Sequence, residues 1–225
     1  ILKYFPEIKA PSVDIENYIN QTEENFTSDA YHSLSIEGYR VSPELIEQVK
    51  KGDWYPEERE KNKEQRDALA ARGYYLAFKK VKDSIIKILK GENSGNVINT
   101  DLDSWYRELF APSVQAGILK PSDLAGYRNG AVFIKGSNHV PPRAEAVRDA
   151  MPAFMDLLTE EKDARVRIIL GHFIFVYIHP YSDGNGRIGR FIMNTMMASA
   201  GLPWIIIPVE KRKKYMSAHE KASVN

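Results

Sequence analysis

Apolar residues recur at helical spacing along most of the chain, which predicts a protein built mainly from amphipathic helices. The longest pattern covers residues 56–90 and ends before a glycine. Its apolar stripe consists of Tyr74, Leu76, Phe78, Val81, Ile85, Ile86 and Leu89. Residues 165–178 are apolar on nearly all sides, which predicts a central buried helix. A further pattern at residues 187–200 stops before Gly201, a usual helix end signal.

Caps and breakers predict four shorter helices. They cover residues 42–52, 100–111, 144–158 and 210–222. Ser42 and Thr100 are suitable N-terminal caps, and Pro152 is expected to kink or divide the third helix. Residues 204–208 are predicted to be extended. The chain is therefore expected to be mostly α.

One segment favours β structure. Two β-prone runs at residues 131–134 and 139–142 flank a glycine-bearing turn at residues 135–138. This arrangement predicts one small β-hairpin within the helical fold.

Composition narrows the class of protein. The 225 residues are 43% hydrophobic, enough for one sizeable core, and no linker or repeat divides them. The chain has no cysteine, so disulfides and thiolate metal sites are excluded, and we expect a cytoplasmic protein. No apolar run is long enough to span a membrane. Because the net charge is only +1, the basic run at residues 211–214 is interpreted as a solvated helix face and not as a nucleic-acid site.

Residues 179–190 carry the densest chemistry, in the order His-Pro-Tyr-Ser-Asp-Gly-Asn-Gly-Arg-Ile-Gly-Arg. The Gly-Asn-Gly stretch can turn successive N–H groups toward one anion, and the N-terminus of the helix that follows adds partial positive charge. Arg187 and Arg190 are three residues apart and can bind neighbouring phosphoryl oxygens from one helix face. The cluster therefore predicts a phosphate site.

Two further side chains in this stretch suggest a reaction. Asp183 can hold a magnesium ion that bridges phosphate oxygens, and His179 can accept a proton near neutral pH. An EF-hand is excluded, because Arg187 and Asn194 stand where calcium ligands would be required. A Walker loop is excluded too, since no Gly-Lys-Ser or Gly-Lys-Thr follows.

The stretch resembles the signature of Fic-domain proteins, His-Pro-Phe-x-Asp-Gly-Asn-Gly-Arg-x-x-Arg, with Tyr181 in place of the phenylalanine. The resemblance implies a Fic-type helical bundle that transfers AMP from ATP to a hydroxyl of a target protein. It implies that His179 deprotonates this hydroxyl and that Asp183 holds Mg2+. The residues implied to bind the nucleotide are Asp183, Gly184, Asn185, Gly186, Arg187, Ile188, Gly189, Arg190, Lys135, Gly136, Ser137 and Tyr215.

A second match lies upstream. Residues 33–38, Ser-Leu-Ser-Ile-Glu-Gly, fit the pattern Ser/Thr-x-x-x-Glu-Gly/Asn, which in the resembling family marks an inhibitory helix. The resemblance implies that Glu37 forms a salt bridge with Arg190 and keeps ATP from its productive position. We therefore expect an N-terminal region, residues 1–95, that carries the inhibitory motif, and a catalytic core, residues 96–225, unless the two form one continuous domain.

The predicted hairpin corresponds to the flap of the resembling family, which pins an extended segment of the target and borders the nucleotide. Tyr215 aligns, by its distance after the signature, with a tyrosine that lines the adenine pocket in that family. His172 is interpreted as a core residue, because no third ligand stands at a suitable spacing for a metal.

The expected function is autoinhibited AMP transfer to a Ser, Thr or Tyr hydroxyl of a target protein docked on the flap, with ATP and Mg2+. Three alternatives stay open: transfer of another phosphate-containing group such as UMP or phosphocholine, removal of AMP with Glu37 orienting a water, and a nucleotide-sensing or peptide-binding module with little turnover. Self-modification, a homodimer, and nucleic-acid binding through a further C-terminal domain are also left open.

Overall fold

The computed structural model describes residues 1–8, 13–52 and 63–224. Over these residues the protein is mostly helical, as predicted, with nine α-helices and two short 3-10 helices, Pro121–Leu124 and Val209–Lys211. The α-helices are α1 (Ile15–Glu24), α2 (Phe26–Ile36), α3 (Pro43–Lys51), α4 (Lys63–Leu89), α5 (Ser94–Gln115), α6 (Ala144–Glu160), α7 (Ala164–Ile178), α8 (Asn185–Ser199) and α9 (Arg212–Val224). No described helix is both long and apolar enough to cross a membrane.

The cap residues of α3 lie where the sequence predicted them. Helix α3 begins at Pro43 because the Ser42 side chain accepts a hydrogen bond from the Leu45 amide. It ends at Gly52, which adopts a left-handed conformation with φ of 83°. The predicted beginning of α4, residues 56–62, lies outside the described residues.

The predicted beginning and end of α5 are wrong. The helix starts at Ser94, because the Asn93 side chain caps it by accepting from the Asn96 amide. Thr100 is an interior residue whose hydroxyl donates to the Asn96 carbonyl oxygen at 3.0 Å. The helix also continues through Pro112 to Gln115, and α6 likewise runs undivided through Pro152.

The predicted β-hairpin is not present among the described residues, where no strand occurs. Residues 131–142 form a turn, closed by the Ser137 amide donating to the Ile134 carbonyl oxygen at 3.1 Å. The bonds that a ladder would need are directed elsewhere. The Asn138 amide donates to Glu220 of α9 and the His139 amide to the Ser137 hydroxyl. This segment is called the flap turn below.

One hydrophobic core connects the N-terminal and C-terminal helices of the described chain. Phe26 of α2, Tyr74 of α4 and Phe191 of α8 belong to the same buried cluster, with the rings of Tyr74 and Phe191 4.8 Å apart. Helices α4 and α5 cross closely at Gly73, where a Cβ atom would collide with the Leu109 carbonyl oxygen. Helices α2 and α8, which carry the candidate site, are therefore positioned by one shared core.

Helices α7 and α8 pack against each other on either side of the signature loop. They approach closely at Gly189, where a Cβ atom would lie 2.8 Å from Val176 Cγ2. Phe175 of α7 is fully buried, but the prediction of burial on nearly all sides is wrong for one face. The exposed side of α7 carries Ile169, Leu170 and Tyr177.

Candidate active site

His179 ends helix α7 in a left-handed conformation, with φ of 52° and ψ of 59°. It is the only non-glycine residue with positive φ in the described chain, and its place directly before the loop marks a functional constraint. Its Nδ1 lies 3.2 Å from the Val176 carbonyl oxygen. Because a carbonyl only accepts, Nδ1 carries the hydrogen and Nε2 is left to take a proton.

The environment of His179 favours the neutral imidazole. Burial lowers the pKa of His179, and the charge of Arg128 lowers it further, while the Val176 carbonyl and Glu37 act in the opposite direction. The net pKa of His179 lies below the ordinary value for histidine. A base that is neutral at physiological pH is thus available at the end of α7.

Arg128 holds the backbone around His179 and was not identified from the sequence. Its Nε donates to the His179 carbonyl oxygen at 2.8 Å, and its other nitrogens donate to the carbonyl oxygens of Gly130, Pro142 and Ile178. Only 4% of Arg128 is exposed. One guanidinium therefore ties the base to both ends of the flap turn. Its partners are main-chain atoms, so no residue type in the sequence signals the contact.

The side chain of Asn185 closes the signature loop. Its Oδ1 accepts from the Tyr181 amide at 2.9 Å, and its Nδ2 donates to the Tyr181 carbonyl oxygen at 2.8 Å. The Tyr181 ring stacks on Tyr106 of α5, with centroids 3.7 Å apart and planes within 7°. The side chain of Asn185 therefore shapes the loop, and its predicted contact with phosphate stays a prediction.

The N-terminus of α8 is the segment predicted to form the phosphate cradle. Gly184 precedes the helix with φ of 83°, and the Asp183 carboxylate accepts from its amide at 2.6 Å. A Cβ atom on Gly186 would collide with Glu37 Oε1 and would lie 3.4 Å from a guanidinium nitrogen of Arg190. The carboxylate of Glu37 thus lies over the first turn of α8, where backbone N–H groups attract anions.

Arg190 contacts Ser33 and Glu37, the first and fifth residues of the upstream pattern. Its Nη2 is 2.7 Å from Glu37 Oε1 and 3.0 Å from the Ser33 carbonyl oxygen, and its Nε donates to the Ser33 hydroxyl at 2.8 Å. Arg190 is 3% exposed, whereas the Glu37 side chain is 28% exposed. Glu37 therefore occupies the charge that an incoming anion would otherwise use.

Arg187 is buried between two aromatic rings. Its guanidinium carbon lies 5.1 Å from the ring centroids of both Tyr39 and Phe110, and its Nη2 is 3.4 Å from Asp183 Oδ1. Within the described chain, Nε and Nη2 of Arg187 and Nη1 of Arg190 are buried without a hydrogen-bond partner. Unsatisfied buried donors of a cation are costly, so this site is suited to a polyanion with several acceptor oxygens.

The remaining predicted residues lie around this centre in different ways. The Ile188 side chain is fully buried in the core, and Gly189 packs against α7, so only their backbones could approach a ligand. In the flap turn, Gly136 adopts φ of 79°, and the Ser137 hydroxyl donates to Glu220. Lys135 belongs to the same turn.

Tyr215 of α9 belongs to a buried cluster with two histidines. Its hydroxyl is 2.8 Å from His172 Nε2, which is also 3.2 Å from His219 Nε2. Burial lowers the pKa of His172 to about 3 and raises the pKa of Tyr215 above its usual range. Arg190 also influences the pKa of all three residues, so the cluster adjoins the anion site.

A metal ion would have to rely on Asp183. No described group of three or more His, Cys, Asp or Glu side chains could enclose a metal ion. The Asp183 side chain is 61% exposed, and Mg2+ needs only one or two protein carboxylates when phosphate oxygens and water complete its shell. The residues present therefore fit a magnesium ion delivered with a nucleotide.

The site thus combines a histidine at a helix end, a glycine-rich helix N-terminus and two buried arginines within a helical protein. Residues 99–197 match the sequence model of the Fic/DOC family. The matched part of the chain contains the whole signature, so the resemblance predicted from the sequence is confirmed.

Curated relatives named Protein adenylyltransferase Fic match parts of the chain. The relative from Drosophila willistoni is 31% identical over 147 residues, which make up 64% of this chain and 27% of the relative. The relative from Nematostella vectensis is 39% identical over 103 residues, 44% of this chain and 24% of the relative. The chain thus spans about a quarter of the length of these relatives.

Solved structures share the fold. A Fic domain containing signaling protein from Bacteroides thetaiotaomicron has a TM-score of 0.70 at 15% identity, covering 94% of this chain and 76% of that one. Fic-1 from C. elegans has a TM-score of 0.71 at 20% identity, covering 93% of this chain and 62% of that one. The helical bundle therefore agrees with Fic proteins well beyond the signature.

Proposed function

We propose that this chain is an autoinhibited protein adenylyltransferase, which transfers AMP from ATP to a hydroxyl side chain of a target protein and releases pyrophosphate. The observation that carries the proposal is the position of Glu37, paired with Arg190 over Gly186 at the helix N-terminus beside His179. The match of residues 99–197 to the Fic/DOC family and the names of the curated relatives support the same activity.

The nucleotide would bind along the first turn of α8. The backbone of Gly184, Asn185 and Gly186 would hold the phosphates, and Arg187 and Arg190 would neutralise the β and γ groups. The buried donors of both arginines that lack a partner support this assignment. The flap turn and Tyr215 would border the nucleoside, because α9 bonds the flap turn through Glu220 and carries Tyr215, whose pKa is influenced by Arg190.

His179 would act as the base. Nε2 takes the proton of the target hydroxyl, the hydroxyl oxygen forms a bond to the α-phosphorus, and the bond from that phosphorus to the pyrophosphate oxygen breaks. The left-handed backbone and the Arg128 hydrogen bonds hold the imidazole at the end of α7. Bound Mg2+, held by Asp183, would supply positive charge between phosphate oxygens.

Glu37 would inhibit by occupying the anion site. Its carboxylate binds Arg190 and covers Gly186, so a γ-phosphate and Glu37 would compete for the same donors. Like charges in one small site repel, which would leave ATP excluded or wrongly placed. Inhibition would then depend on the position of α2, which carries both Ser33 and the cap residue Glu37.

Replacing Glu37 tests the proposal. Glu37→Gly is expected to raise self-labelling by ATP labelled at the α-phosphate, because it frees Arg190 and Gly186. Adding His179→Asn should abolish this labelling without backbone strain, since asparagine tolerates the left-handed conformation. ATP labelled at the γ-phosphate is the control and should leave no label on protein. Equal labelling of wild type and both variants contradicts the proposal.

A further inference from the structure

A groove beside the signature loop lies outside the anion site. It encloses about 430 Å³ between α5, the 3-10 helix Pro121–Leu124, residues 125–129 and the loop residues 182–183. Among the described residues that line it, Glu37, Gly186 and Arg190 do not occur. Apart from Asp183, which borders both places, the lining of the groove contains none of the residues proposed to hold the phosphates.

The wall of the groove is aromatic and held in place. Tyr106 and Phe110 of α5 are buried and contact each other edge to face, with centroids 5.3 Å apart, while Tyr106 stacks on Tyr181 of the signature loop. Tyr127 lines the same groove and lies 5.7 Å from the Tyr181 ring. Such a wall suits the alkyl stem of a long side chain, and ring faces attract cations.

The rim of the groove is negatively charged. Asp123 and Asp183 line it, and both residues are exposed. Arg128 is the one cationic residue among its described lining, and the guanidinium is buried and bound to backbone carbonyl oxygens. Burial and the carboxylate of Asp183 raise the pKa of Tyr106 to about 12, Arg187 acts in the opposite direction, and Asp123 adds to the rise. The two exposed carboxylates would attract a cation to this rim.

The groove lies close to the proposed base along the backbone. The Arg128 amide donates to the Pro180 carbonyl oxygen at 2.9 Å, so the lining segment is attached directly to the residue after His179. An extended polypeptide advances about 3.3 to 3.6 Å per residue. A polypeptide whose hydroxyl reaches His179 would therefore bring a residue near the modified one to this groove.

Resting on the proposed function, we infer that the groove binds a lysine or arginine side chain of the acceptor protein, close in sequence to the modified hydroxyl. The alkyl stem packs on Tyr106 and Tyr127, and the terminal cation pairs with Asp123. Asp183 adds negative charge until its carboxylate engages a metal ion. The groove thus selects acceptor segments that carry a basic residue.

The test uses the Glu37→Gly chain and three synthetic peptides of equal length, each with one threonine flanked by lysines, alanines or glutamates. Labelling from α-labelled ATP gives kcat/KM, and fluorescence anisotropy gives binding even where turnover is absent. The lysine peptide is expected to exceed the alanine peptide by roughly two- to fivefold in both, as for an exposed ion pair. The glutamate peptide should be the weakest.

Asp123→Asn is the diagnostic variant. It keeps an oxygen for the Lys120 amide, which donates to the Asp123 carboxylate at 2.9 Å, but removes the charge. The ratio of the lysine peptide to the alanine peptide, in kcat/KM and in binding, should fall toward one. Asp123→Lys should favour the glutamate peptide. Asp149→Asn, the same change at an exposed position of α6, is the matched control and should keep the preference.

The outcomes separate the two proposals. Equal or absent binding of the lysine and alanine peptides, or a preference that survives Asp123→Asn, overturns the groove. Absence of any label, on peptides or on the chain itself, with the lysine preference in binding intact, overturns the adenylyltransferase activity and leaves the groove standing.

Discussion

At the scale of single residues, the protonation of His179 depends on contacts that are spread over the chain. Burial and Arg128 push its pKa down, and Glu37 pushes it up. Because Glu37 also pairs with Arg190, one carboxylate influences both the base and the anion site. Removing Glu37 should therefore alter the pH dependence of the reaction as well as its rate.

In the Glu37→Gly chain, the acid limb of the kcat/KM profile is expected below about pH 6.5, the ordinary pKa of histidine. The reaction needs neutral imidazole, so it is active above the pKa of His179, which burial lowers and which loses the raising influence of Glu37. Rates measured between about pH 5 and pH 8 locate the limb. Glu37→Gln, equally uncharged, should give the same limb, and a limb above pH 6.5 would contradict this.

The sequence was informative at this scale where the chemistry is local. Residues 179–190 contain the proposed base, the proposed phosphate cradle and both arginines within one loop and one helix start, so spacing alone places them together. The partnership of Glu37 with Arg190 spans 153 positions and was accessible only through a resemblance. Arg128 was missed because its acceptors are carbonyl oxygens, which every residue possesses.

At the scale of elements, α9 connects the two parts that flank the anion site. Near its beginning, Arg212 Nε donates to the carbonyl oxygen of Ile36 at the end of α2, at a distance of 2.7 Å. Near its end, Glu220 accepts from Ser137 and Asn138 of the flap turn. Glu220 holds the Ser137 hydroxyl, which in turn accepts from the His139 amide, so the first amide of the second β-prone run is not free for strand pairing.

Glu220→Ala is expected to loosen the flap turn. The variant removes the acceptor of the Asn138 amide and of the Ser137 hydroxyl, so amides in residues 131–140 should exchange with deuterium several-fold faster. Hydrogen-exchange mass spectrometry measures this segment directly. Lys221→Ala, at the next position of α9, is the control and should leave the exchange as in the wild type. Unchanged exchange in Glu220→Ala would show that other contacts hold the turn.

At the scale of the whole molecule, buried titratable groups couple the fold to pH. Burial keeps His172, His179 and His219 neutral, with pKa values below the ordinary one. The buried histidines lower the stability of the fold as the pH falls. Asp29 has the opposite effect, because burial raises its pKa to about 6. The same helical core that positions the site therefore makes its stability depend on pH.

His172 should contribute most clearly to this dependence. Its pKa is about 3 in the fold, so below about pH 6.5 only the unfolded chain takes up a proton there, and stability falls by up to about 1.4 kcal/mol per pH unit. Urea unfolding of His172→Gln should lose less free energy than wild type between about pH 7.5 and 5. Between about pH 7.5 and 9 the free energy of unfolding should change equally in both proteins. An equal loss of this free energy in both proteins between about pH 7.5 and 5 would refute the low pKa of His172.

Tyr39 gives the end of α2 a second influence on the nucleotide site. It stands two residues beyond Glu37, and its ring covers one side of the Arg187 guanidinium. A regulator that drew this end outward would uncouple the carboxylate from one arginine and uncover the other in a single movement. A substitution such as Glu37→Gly removes the carboxylate from Arg190 but leaves the Tyr39 ring on Arg187. If the chain acts as proposed, a point variant of Glu37 and a chain released by such a regulator would therefore differ in how firmly Arg187 is held.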